Sequence, residues 1–126
     1  GGHVPPLDID AGLSVAGASG GLLEHLAAVG PFGRGNPEPV FAVPAARVRY
    51  ARIVGKNHVR ADLADAGGGR LPAIAFRSAE TPLGRALLET SGRALHVAGT
   101  LRADDWRGNG AVQFVVSDAA PVEDAS

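Results

Sequence analysis

"RVRYARIVGKNHVRADL", residues 47–63, reads as two strands joined by a turn. Its second half alternates without a fault: Val59, Ala61 and Leu63 take one side and His58, Arg60 and Asp62 the other, the period of two expected of a half-buried strand. The first half alternates and then slips. Val48 and Tyr50 share the inward side and Arg47 and Arg49 the outward one, yet the next apolar residue in phase is Ile53, three positions on. One extra residue near Ala51, a β-bulge, absorbs the slip and carries Arg47, Arg49 and Arg52 onto a common face. "VGKN" supplies the turn.

The flanking sequence extends this hairpin into a barrel. "DAGGGR" (65–70) is a second turn, and "LPAIAFR" (71–77) a third strand expected to bury Ile74 and Phe76. Thr81 caps a short helix with Pro82 at its first position, where a missing amide hydrogen costs nothing; Leu83 and Leu87 stack one turn apart and Gly92 ends it. "ALHVAGTLR" (94–102) and "AVQFVVSD" (111–118) are a fourth and fifth strand, with Leu95, Val97 and Leu101, then Val112, Phe114 and Val116, inward. Three strands, a helix and a hairpin is the order of a mainly β, five-stranded OB-fold barrel, although other antiparallel arrangements share the count.

Upstream, Leu22, Leu23, Leu26 and Val29 recur at helical spacing after Ser19, giving an extra N-terminal helix that Gly30 and Pro31 stop. "GPFGRGNPEPVF" (30–41) then reads as a rigid joint. Pro37 and Pro39 fix backbone angles, Asn36 is held out of the helical region by the proline after it, Gly33 and Gly35 can take positive φ, and Phe32 and Phe41 pin the ends into a core. A phosphate loop at "GRG" lacks the Walker lysine and a following helix. The expected organisation is an extended lead-in at 1–18, helix and joint at 19–42, barrel at 43–121 and tail at 122–126. Gly1 to His3 read equally as native residues or vector remnant.

The 126 residues suffice for one self-supporting core. Cysteine is absent, which excludes disulfides and thiolate chemistry, and no apolar run approaches the roughly 20 residues of a membrane helix. The absence of methionine predicts a segment of a longer protein. His3, His25, His58 and His96 are scattered and form no metal-ligand spacing, Asp104 and Asp105 fall in a turn where acids are ordinarily solvated, and no nucleophile–base signature occurs. The residues offer no catalytic constellation and no metal or cofactor site.

Net charge is −1, with 12 Lys and Arg against 13 Asp and Glu. The charge is nevertheless segregated: five of the cations (Arg47, Arg49, Arg52, Lys56, Arg60) fall within residues 47–60 with no acid among them. In an OB barrel the second and third strands, with the loops joining strands one to two and four to five, form the oligonucleotide groove. Those positions carry Arg49, Arg52, Lys56, His58, Arg60, Arg77, Trp106 and Arg107. Cations can follow phosphates while an indole stacks a base. The alternatives are that the run is a solvated strand face and that Trp106 folds back over the barrel end.

"GPFGRGNPEPVF", "VGKNHVRADL", "AIAF", and Trp106 and Gly108 followed by "QFVVSDAAP" together resemble the carboxy-terminal OB domain of the RecJ single-strand-specific exonucleases, over about residues 22 to 121. The resemblance implies a single-stranded-DNA-binding module attached to a DHH-type core that digests DNA from 5′ to 3′ with manganese or magnesium, in bacterial, cytoplasmic DNA repair and recombination. The Asp and His motifs of that core are absent from this chain, so no catalytic residue is carried over. The implied partners are single-stranded DNA, the core of the same chain and a single-strand binding protein. The rival reading is an interaction or scaffold module.

Overall fold

The computed structural model describes residues 11–19, 21, 22, 24, 26, 38–89, 93–104 and 111–122. Its strands are β1 (Ala11–Gly12), β2 (Phe41–Val54), β3 (His58–Ala64), β4 (Leu71–Ala75), β5 (Ala94–Ala103) and β6 (Val112–Pro121), with helix α1 (Pro82–Glu89) between β4 and β5. The sheet order β1-β2-β3-β4-β6-β5 closes through an additional β2–β5 pairing, and β4 runs parallel to β6. That closed five-stranded barrel with one helix after its third strand is the OB-fold expected from the sequence; β1 adds a short parallel strand outside it. Residues Gly21, Leu22, Glu24 and Leu26 are helical, as the leucine spacing predicts.

β2 has 14 residues and closes the barrel by pairing with two partners in succession. Its first half pairs with β5 and its second with β3, and each ladder contains a one-residue register shift, between Val43 and Ala46 in the first and between Arg49 and Arg52 in the second. An extra residue on one strand bends it and increases its twist, which a small barrel needs at its corners. Ala45 and Tyr50, one in each bulge, have φ of 50° and 56°. The Ala45 N–H donates to Nδ1 of His96, 3.0 Å away.

Phe114, Leu63, Leu71, Val43, Val59 and Val97 are the largest fully buried side chains, so the inward set on β3 is the expected one. Phe41 is buried and opens β2 opposite Gly99. At Gly99 an added Cβ would overlap the Val115 carbonyl oxygen, which keeps β5 and β6 closer than any side chain allows. The α1 cap is as the sequence predicts, with the Gly84 N–H donating to Thr81 Oγ1 at 3.1 Å. The described part of the lead-in, residues 11–18, is docked on the barrel. Leu13 N–H donates to the Ala42 carbonyl, Val15 is buried, and its N–H donates to Asp65 Oδ2 at 2.7 Å.

Three expectations about facing are corrected. Tyr50 is 77% exposed, because the bulge includes Tyr50 itself and turns its ring out, whereas Ile53 pairs with buried Val59 on the expected side yet is 53% exposed near the end of β2. On β4 the buried residues are Leu71, Ala73 and Ala75, whereas Ile74 is half-buried and Phe76 is 41% exposed. The ladder with β3 decides this: Leu63, Ala61 and Val59 face Leu71, Ala73 and Ala75 and draw them inward, although the alternate set has larger side chains. Asp104 is buried, since its N–H donates to the Ala111 carbonyl at 2.9 Å and holds it in the neck of the β5–β6 hairpin. Phe32, Gly33, Gly35, Asn36 and Pro37 of the expected joint lie outside the described residues.

Candidate nucleic-acid interface

The bulge on β2 decides what its outer face presents. Arg49 pairs with Asp62 and, past the extra residue, Arg52 pairs directly with Arg60. In regular alternation, three positions would leave Arg52 pointing away from Arg49. With the extra residue, Arg47, Arg49, Arg52 and Arg60 share the outer side of β2 and β3, and within the two strands Asp62 is the single acid. Asp62 is partly engaged by Arg70, 3.7 Å away. Two cations directly opposite on a ladder repel one another, a cost that a polyanion laid across them would offset. Between them lies an open concavity of about 530 Å³ lined by Tyr50, Arg52, Arg60, Ala61, Asp62 and Arg70.

The remaining expected residues spread from this centre. Lys56 is exposed in the turn between β2 and β3, which Gly55 makes with φ of 62°. Arg77 is exposed just past β4 at φ 54°, and its N–H donates to Nδ1 of His58 at 3.0 Å. That bond turns the other ring nitrogen of His58 into its available polar atom, so within the chain His58 positions Arg77. Trp106 and Arg107 lie outside the described residues.

Sequence reasoning missed Tyr50, Arg70, Phe76 and Arg102. Phe76 carries the Arg102 guanidinium 4.9 Å above its ring centroid and meets the His58 ring edge-on at 5.5 Å. The slip at Ala51 contained the signal for Tyr50, because a bulge residue need not obey the alternation on either side of it. Arg102 gave none: its partners come from elsewhere in the fold, Phe76 from just past β4 and Gln113 from β6. Among the described residues no three His, Asp or Glu side chains converge as metal ligands.

A family model described as the RecJ OB domain matches residues 9–118. The single-stranded-DNA-specific exonuclease RecJ of Salmonella typhimurium (strain LT2) is 31% identical over 114 residues, 90% of this chain and 19% of that protein. The crystal structure of RecJ in complex with Mn2+ from Thermus thermophilus aligns with a TM-score of 0.57 at 27% identity, over 82% of this chain and 14% of that one. The Mg2+ complex from the same source gives the same score and identity over 15% of its chain. The S. pombe Stn1-ten1 complex aligns with a TM-score of 0.54 at 12% identity, over 74% of this chain and 65% of that one, a likeness of fold alone. This chain thus spans less than a fifth of the curated relative.

Proposed function

The chain belongs to the RecJ OB-domain family, and from that premise we propose that it binds single-stranded DNA for a RecJ-like 5′ to 3′ exonuclease whose catalytic core and Mn2+ or Mg2+ site lie in other parts of the protein. The DNA crosses β2 and β3. Arg49, Arg52, Arg60, Lys56 and Arg77 meet phosphates, and Tyr50 offers a ring beside them. The sequence reading adds Trp106 and Arg107 as further DNA contacts.

The observation that carries this reading is the direct opposition of Arg52 and Arg60. A ladder gains nothing in stability from such a pair, and a ligand with regularly spaced negative charge gains a great deal. A domain of net charge −1 binds a polyanion weakly in isolation, but tethering to a core raises the effective strand concentration to the order of millimolar. Weak binding then suffices to slow strand release and raise processivity.

A second reading, an interaction or scaffold module docking a partner or the core, is favoured by the exposure of Ile53 in the same strand as Tyr50. Titration of this chain with a mixed oligonucleotide at low and moderate salt separates the two. Binding that weakens with salt is expected; no binding even at low salt would sink the DNA reading and leave the docking one. The chain alone should release no nucleotides from single-stranded DNA in the presence of manganese. Metal-dependent cutting by a highly purified sample would refute the assignment of chemistry to a separate core.

A further inference from the structure

Past Arg60 the outer face continues through a second arrangement of side chains that is built from four separate places in the fold. Arg60 pairs with Ile74, and Phe76 follows two residues later, just past the end of β4. The Arg102 guanidinium stands 4.9 Å from the Phe76 centroid, and it is held there: its Nε and Nη2 both donate to Gln113 Oε1, at 3.1 and 2.7 Å. Gln113 is itself buried. From the other direction the His58 ring contacts Phe76 at an interplanar angle of 81°, with His58 fixed by the Arg77 N–H.

An exposed phenylalanine on a barrel face gains little from solvent, and a guanidinium with two of its five N–H donors held by a buried amide no longer moves as a free surface cation. Together they make a preformed planar surface, cationic and apolar, with no carboxylate among its four side chains. Such surfaces stack the π-faces of bases, through the ring or through the guanidinium plane. We propose that Phe76 and Arg102 form a stacking site for a nucleobase of single-stranded nucleic acid, with Gln113 and His58 as positioning residues. The proposal rests on the reading of the β2–β3 face as the phosphate track. Phosphates on Arg52 and Arg60 would turn the following base across Ile74 toward Phe76.

The test compares an oligothymidylate with an abasic backbone of the same length, titrated over a range of salt. Phe76→Leu is expected to weaken binding of the oligothymidylate about 5- to 150-fold, since stacking contributes roughly 1 to 3 kcal/mol per base, and to leave the abasic strand and the salt dependence unchanged. Phe76→Tyr, which retains a ring, should bind like the parent. Arg102→Gln, a change at an exposed side chain, should repeat the loss if Phe76→Leu fails to fold. Unchanged binding of both strands by Phe76→Leu, with binding still weakened by Arg60→Ala, would overturn the stacking site and leave the groove standing. Equal losses on both strands with a shallower salt slope for Arg102→Gln would make Arg102 a phosphate contact and also overturn it. If the parent chain bound neither strand at low salt, the groove and the stacking site would fall together.

Discussion

Tyr50 combines a left-handed backbone with an exposed ring, and both carry a cost. A non-glycine residue at φ 56° is strained by about 1–3 kcal/mol, and its aromatic surface is left in water. Relief of strain and loss of the ring can therefore be separated. Tyr50→Gly should leave the melting temperature within the equivalent of about 1 kcal/mol of the parent, because glycine accepts this φ but is less restricted in the unfolded chain. DNA affinity should nevertheless fall. A large drop in melting temperature would show that the ring packs and does not wait for a ligand. Arg60→Ala addresses the charge instead: each single-strand phosphate neutralised contributes roughly 0.7 to the slope of log affinity against log salt, so the slope should flatten by about that amount. An unchanged slope would remove Arg60 from the phosphate track.

At the scale of elements, the sequence was legible wherever one face of a strand was apolar and the other polar. "HVRADL" specified its buried side without ambiguity, and the phase slip after Tyr50 located a bulge that the β2–β3 register contains. "LPAIAFR" has apolar residues on both sides, so its own pattern cannot choose between them; the choice comes from Leu63, Ala61 and Val59 across the ladder. The Arg102–Gln113 hydrogen bonds and the Arg102–Phe76 contact join residues 11 and 26 positions apart, and no local pattern encodes them. Glycines divide in the same manner. Gly68 has φ of 85° in open space and Gly99 has no room for a Cβ beside the Val115 carbonyl. Gly68→Ala should cost about 1–2 kcal/mol from backbone strain, and Gly99→Ala about 1–3 kcal/mol or more from forcing β5 and β6 apart. Denaturant melts of the two variants check both costs; a near-parental melt for Gly99→Ala would mean that β5 and β6 can separate freely.

For the whole molecule, β2 is the common wall on which the docked lead-in, β3 and β5 all depend. Phe41→Ala, at the start of that wall, should destabilise by roughly 3–5 kcal/mol. A near-parental melt would mean that the entry to the barrel is not anchored there. Removing residues 1–18 uncovers the site of Val15 and strips Asp65 of a donor, a loss of about 1.5–3 kcal/mol from the valine alone. Unfolding should stay a single cooperative transition that a chelator does not shift, because the buried core is apolar and continuous.

The one-residue offset between Arg49 and Arg52 makes the strand behave like a reading frame. Loss of the one extra codon would straighten the strand and leave every downstream side chain on its present side, whereas loss of two, or gain of one that the bulge does not absorb, would exchange wet and dry sides as far as the turn. Shortening of this stretch by one residue should therefore survive in descendants, whereas shortening by two should need a compensating change in the partner strand. A phylogeny of natural insertions and deletions would then record which side of the strand selection has had to keep outward.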